Sequence, residues 1–215
     1  MHAYPQTEWT GEIEQFVGAA HSAAAQGLLR CSSGNLSWRL NDALCLVTAT
    51  RSWLGKLAPE QVAICRVDDG ASLNLVKPSV EAGFHTGILR ARPDIRVVLH
   101  FQSPAATAFA CRRDVETVNF AIIPEVPVYI GSIAVVPYLQ PGSAELARAV
   151  IPAMQDHNLL LLRNHGLVTV GRDLDDALQK AAFFELACQV LLTAGDQAQL
   201  LTEPAVRALR ESASG

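Results

Sequence analysis

The chain has 215 residues, 50% of them hydrophobic, 18% charged and 6% aromatic. One domain of that length buries roughly 70% of the surface its unfolded chain exposes, and such apolar content excludes a disordered chain. Lys and Arg number 17 against 21 Asp and Glu, a formal charge of −4 with no basic run, which argues against a nucleic-acid partner.

The longest apolar runs, such as Ile95–Leu99 and Leu159–Leu162, fall far short of the ~20 residues that cross a membrane as a helix. Met1–Gln6 has neither a basic nor an apolar export region, so a cytoplasmic location is expected. Five cysteines, Cys31, Cys45, Cys65, Cys111 and Cys188, form no C-x-x-C pair and read as reduced structural thiols. With no repeat and no Gly/Ser linker, residues 1–215 read as a single domain.

Apolar residues from Ile13 to Leu28 recur at helical spacing, predicting a helix over Gly11–Leu29. Gly34 and Asn35 break it, and Leu36–Leu40 alternates as a strand. Asn41-Asp42 is a turn, and Ala43–Thr48 completes a hairpin. Val62–Val67 is a further strand. Ser79, after Pro78, is read as the N-cap of a helix running to Arg92, with Glu81 in its first turn. Ile95–Leu99 is a strand ending at His100, and Ser103-Pro104 opens a short Ala-rich helix. A Pro-rich passage (Pro124, Pro127, Pro137, Pro141) precedes a helix over Ser143–His157. Two more strands, Leu159–Leu162 and Leu167–Val170, and an amphipathic helix, Leu174–Leu192, follow. Helices and strands mixed in this order predict α/β layers around one sheet.

His100 and His165 each follow an apolar strand, at the sheet rim where ligands collect. Two imidazoles meeting there suit a zinc-like metal; the plainer alternative is that each caps a strand. Gln102, two residues past His100, projects to the same side of an extended chain, though its carbonyl is a weaker ligand than imidazole. Glu81 and His85 share a helix face. Glu81 serves either the helix dipole or a metal and a proton transfer; His85 reads as a core histidine with one hydrogen bond. Ser32–Asn35, Thr48–Arg51 and Ser79 offer amides and hydroxyls suited to a phosphate. No G-x-G-x-x-G or Walker loop supports nucleotide binding.

Several segments occur in a telling order: Ser33-Gly34-Asn35-Leu36-Ser37, Thr48-Ala49-Thr50, Lys77-Pro78-Ser79-Val80-Glu81 with Phe84-His85, Arg92-Pro93-Asp94, Val97-Val98-Leu99-His100 and Asn164-His165-Gly166-Leu167. Together they resemble the class II aldolase/adducin family over about Ile13 to Leu192. The resemblance implies a three-layer α/β/α fold with a mostly antiparallel central sheet, a homotetramer, and a divalent metal, typically zinc. Carried over, His100 and His165 match metal ligands, Glu81 the acid/base carboxylate, and Gly34, Asn35, Thr50 and Ser79 phosphate-binding positions.

Four positions depart from the family pattern. Gln102 stands where a second ligand histidine belongs, and Phe120 where aldolases place a tyrosine lent by a neighbouring subunit. Arg51 replaces a glycine and adds a charged fork suited to phosphate or carboxylate; Val80 replaces a serine. The implied function is a metal-dependent lyase of aldolase, dehydratase or decarboxylase type. Its substrate is a small phosphorylated or carboxylated hydroxy-carbonyl compound, reacting through a metal-stabilised enediolate, with Glu125 a candidate proton donor. The alternative is a non-catalytic, adducin-like interaction module.

Overall fold

The structure, a computed structural model, describes residues 6–213. The Met1–Pro5 stretch, on which the export reading partly rests, lies outside the described residues. Seven strands form one sheet: β1 (Asn35–Arg39), β2 (Leu44–Thr48), β3 (Val62–Arg66), β4 (Val97–Phe101), β5 (Ile133–Val136), β6 (Leu159–Leu162) and β7 (Gly166–Gly171). Their spatial order is β3-β2-β1-β4-β7-β6-β5, and every pairing is antiparallel except β5 with β6.

Side chains of a strand alternate between faces, and here each face has its own core. Leu36, Trp38, Leu46, Ile64, Leu99, Phe101 and Leu161 pack on one side. That side is covered by α1 (Thr10–Ala25), α3 (Pro104–Ala110) and α5 (Leu174–Ala194). Cys45, Val47, Val98, Leu160, Val168 and Val170 pack on the other, beneath α2 (Ala82–Ala91) and α4 (Ala144–Ala153). The outcome is the expected three-layer α/β/α arrangement. No helix among the described residues is long and apolar enough to cross a membrane.

The alternation also sorts polar residues. Asn35, Ser37 and His100 occupy the same strand face as Val98 and Val47, the face that α2 covers. Antiparallel pairing then gathers the ends of distant segments. Asn35 lies opposite His100, Leu167 opposite Phe101, and the start of β1 beside the end of β2. Gly34 passes β4 at φ +73, where a β-carbon would lie 2.5 Å from the His100 carbonyl oxygen; only glycine fits.

Several boundaries differ from the sequence reading. The helix α2 begins at Ala82, not after Ser79. The Ser79 carbonyl accepts the Ala82 N–H in a turn, and its hydroxyl accepts the Glu81 N–H, so Glu81 is the N-cap. His100 lies within β4, since pairing with β7 extends to Phe101. Strand β5, one π-helical turn (Val126–Ile130) and α6 (Glu203–Ala213) have no counterpart in that reading. Helix α5 carries Lys180 and Glu185 buried in its packed face. The Lys180 ammonium donates to Asp176 and to the Val170 carbonyl. The Glu185 carboxylate accepts the Ala105 and Ala106 N–H groups at 3.0 and 2.8 Å, satisfying the first turn of α3. Cys45, Cys65 and Cys188 are buried, and burial raises their thiol pKa values, as structural thiols require.

Glu185→Ala strands two buried backbone donors. It should lower the unfolding free energy by about 2–3 kcal/mol in urea titration; unchanged stability would show that this contact does not anchor α3.

Candidate metal and substrate site

Three elements deliver the central group. The N-cap of α2 supplies Glu81, β4 supplies His100, and the turn between β6 and β7 supplies His165. One donor atom from each lies within 4.8 Å of the other two. Glu81 Oε2 is 3.6 Å from His100 Nε2, and Glu81 Oε1 is 3.6 Å from His165 Nε2. The two rings meet edge to face, with centroids 4.7 Å apart. The Glu81 and His100 side chains are only 5% and 1% exposed.

Hydrogen bonding reveals what these atoms lack. His100 Nδ1 donates to the Leu167 carbonyl at 2.8 Å, which leaves a lone pair on Nε2 facing the carboxylate. Glu81 Oε1 and His165 Nδ1 are buried with no hydrogen-bond partner among the described residues. A buried carboxylate oxygen and a buried ring nitrogen without partners, beside a second imidazole, cost free energy unless a cation lies among them. Two imidazole nitrogens and a carboxylate oxygen form a donor set that suits zinc and similar divalent ions, and the Leu167 carbonyl is the outer partner a ligating histidine needs.

Gly166 keeps this pocket open. A β-carbon there would lie 2.7 Å from the Phe101 carbonyl oxygen and 3.1 Å from His100 Cε1. The same β-carbon would lie 2.8 Å from Gln102 Cγ, so the Gln102 stem sits beside the His100 ring, partly buried.

Behind the carboxylate runs a hydrogen-bonded chain. Asn35 Nδ2 donates to Glu81 Oε2 at 2.8 Å, and Asn35 Oδ1 meets His85 Nε2. His85 Nδ1 lies 2.8 Å from the Ser37 hydroxyl. Asn35, expected at the phosphate, thus has its amide engaged at Glu81. His85 makes two side-chain hydrogen bonds where one was expected. No motif signalled this, but register does: Ser37 shares a strand face with Asn35, and His85 lies one helical turn beyond Glu81.

The remaining phosphate candidates gather nearby, though with fewer free amides than the sequence suggested. The Thr50 N–H donates to the Lys77 carbonyl, the Ser79 N–H to the Thr48 carbonyl and the Ser33 N–H to the Arg30 carbonyl. The first two bonds lace the Thr48–Thr50 and Lys77–Ser79 segments into one rim, and all three leave hydroxyls rather than these amides for a ligand. Arg51, at φ +60, is exposed and lines a surface hollow of about 300 Å³ with Trp53, Lys56 and Gln61. Val80 is 63% exposed beside the rim. Phe120 is buried between Phe109 and Phe184, with ring centroids 5.2 and 5.0 Å away, so it belongs to the core of the opposite layer. Glu125 is partly buried ahead of the Val126–Ile130 turn, apart from the Glu81 cluster.

Electrostatics follow from burial. Desolvation pushes the His165 pKa down to about 4, with the His100 ring adding to the fall and Glu81 opposing it. Desolvation, then His100, pushes His85 down to about 3. Both rings are neutral at pH 7.

The chain is similar to known proteins along most of its length. Residues 14–192 match the family model described as the class II aldolase and adducin N-terminal domain. A Haemophilus influenzae protein named 3-oxo-tetronate 4-phosphate decarboxylase is 34% identical over 91% of this chain and 94% of its own length. An L-fuculose phosphate aldolase of Methanococcus maripaludis is 32% identical over 83% of this chain and 94% of its own. The YgbL crystal structure from Klebsiella pneumoniae superposes with a TM-score of 0.87 at 30% identity, covering 92% of this chain and 97% of that one.

Both depressed histidine pKa values lie below the ordinary ~6.5 of an unfolded chain. Their stability contribution is therefore complete above pH 6.5 and lost as pH falls toward about 4 for His165 and about 3 for His85. Metal-free protein should lose stability between pH 6.5 and 4, and His165→Gln should flatten that slope in denaturant titrations; an identical slope would contradict the assignment.

With relatives named as decarboxylases and aldolases and the Glu81, His100 and His165 cluster in place, the chain belongs to the class II aldolase and adducin family, on its lyase side rather than as an adducin-like interaction module.

Proposed function

We propose that this lyase removes carbon dioxide from a small phosphorylated 3-oxo acid, of which 3-oxo-tetronate 4-phosphate is the first candidate. The single observation behind the proposal is the buried Glu81 carboxylate, set between two imidazoles with Oε1 left without a hydrogen-bond donor. His100 and His165 would hold a divalent metal, zinc by preference, with the Gln102 carbonyl and Glu81 beside it. When bound, such an ion supplies a Lewis acid for the ketone oxygen and the adjacent hydroxyl of the substrate.

The protein's own groups supply the rest. Loss of carbon dioxide leaves an electron pair on the carbon that carried it, and that carbon needs one proton. Glu81, poised through Oε1, takes up a proton from solvent and passes it to that carbon, returning to the carboxylate. Retro-aldol cleavage asks for more: a base for the hydroxyl proton as well as an acid for the carbon. The burial of Phe120 leaves no phenol at that position, which favours the reaction with the smaller proton demand. The departing carboxylate has no proton to surrender.

The Gly34 segment and the Thr50 and Ser79 hydroxyls take the substrate phosphate. Ser79 Oγ accepts the Glu81 N–H and keeps its own hydrogen to donate, so phosphate binding and Glu81 placement share one residue. Arg51 and Lys56 line the hollow beyond this rim and attract the dianion toward it. A homotetramer in the cytoplasm is the assembly and location that the family likeness suggests.

Given 3-oxo-tetronate 4-phosphate and zinc, manganese or cobalt, the protein should release carbon dioxide. Glu81→Gln should lower kcat by about 100-fold or more, and His165→Ala should hold no stoichiometric metal by elemental analysis. Undiminished turnover in Glu81→Gln, or equal substoichiometric metal in wild type and His165→Ala, would defeat the proposal. Thr50→Val should raise KM by roughly tenfold with kcat preserved, the pattern of lost uniform binding; an unchanged KM would remove Thr50 from the phosphate site.

A further inference from the structure

The chain behind Glu81 has a direction, and that direction can be worked out bond by bond. An ionised carboxylate only accepts, so the Asn35 atom facing Glu81 Oε2 at 2.8 Å is the NH2 group. The Asn35 atom facing His85 is then the amide oxygen, which also only accepts. His85 Nε2 must therefore carry the hydrogen, leaving Nδ1 to accept the hydroxyl hydrogen of Ser37 at 2.8 Å. Reversing the Asn35 amide would set its oxygen against the carboxylate and its NH2 against the imidazole N–H. Both contacts would be repulsive, in a pocket where His85 is 0% exposed.

We infer that His85 is a positioning residue: through the Asn35 amide it fixes Glu81 by Oε2, which faces His100, and so turns Oε1 toward His165. The inference rests on the role proposed for Glu81. Local structure supports it. Helix α2 carries Glu81 at its N-cap and His85 one turn later, so both side chains descend on one face toward β1. Strand β1 answers with Asn35 and Ser37, two residues apart on that face. Both ring nitrogens of His85 bond to side chains, Asn35 leading on to Glu81 and Ser37 holding the ring from behind, where a packing histidine needs only a backbone carbonyl.

Nitrogen NMR of the metal-free protein with labelled histidine should show His85 protonated at Nε2 and bare at Nδ1. A ring protonated only at Nδ1 overturns the inference, whether or not metal binds. Zinc affinity by chelator competition then compares two variants with wild type. His85→Phe keeps the bulk of the ring without a donor, and His85→Gln keeps a donor toward Asn35. We expect His85→Phe to bind zinc about tenfold more weakly or worse, and His85→Gln to stay within about threefold of wild type, as for an outer-shell partner. Wild-type affinity in His85→Phe, or an equal loss in both variants, overturns the inference, the second result marking a packing role. Undiminished turnover in Glu81→Gln alongside an Nε2–H ring at His85 would instead overturn the role of Glu81 on which the inference rests.

Discussion

Burying a carboxylate beside two imidazoles without a hydrogen bond to either is unfavourable, and the Glu81, His100 and His165 cluster does so at 3.6 Å on either side. The Leu167 carbonyl accepts the His100 Nδ1 hydrogen, and His100 Nε2 stands 3.6 Å from Glu81 Oε2, beyond hydrogen-bond reach. Burial keeps His165 neutral as well. A buried pocket lined by acceptors is destabilising for the bare fold and favourable for a cation. The proposed metal, the proton-carrying oxygen and the acid sensitivity of the metal-free protein all follow from that one arrangement.

Sheet topology makes the cluster possible. Glu81 and His165 lie far apart in sequence, yet antiparallel register brings β1, β2, β4 and β7 to one edge with Asn35 opposite His100 and Phe101 opposite Leu167. Two glycines permit the close approach. Gly34 passes the His100 carbonyl, and Gly166 leaves room for the His100 ring. The bonds that tie the Thr48–Thr50 segment to Lys77 and Ser79 use the Thr50 and Ser79 amides internally, so the proposed phosphate site would rest on hydroxyls and on the Lys77–Glu81 turn holding its shape.

Much of this was legible in the chain because the strands alternate cleanly and the two site histidines close apolar runs. The order of short motifs carried the rest, including the fold. Other features were hidden for physical reasons. Strand β5 is only four residues long, half-buried and followed by Pro137, so neither length nor alternation marked it. Helix α6 fully buries no residue, and its apolar face is narrow, carried by Ala205, Val206 and Leu209. The start of α2 was misplaced because a turn through Ser79 intervenes before the helix, putting Glu81 at the threshold rather than in the first turn. Asn35 read as a phosphate residue because a loop asparagine beside glycine looks like a nest; its amide is spent on Glu81 and His85 only through contacts made by the folded sheet. Arg51 read as part of the same pocket, yet its left-handed backbone leaves it on a separate hollow with Trp53 and Lys56.

The most direct test is an anomalous difference map at the zinc edge from crystals of zinc-loaded protein. The account predicts one dominant peak per chain, within about 2.3 Å of an imidazole nitrogen of both His100 and His165 and bordered by Glu81. A peak at other histidines, or no ordered zinc at all, would contradict it.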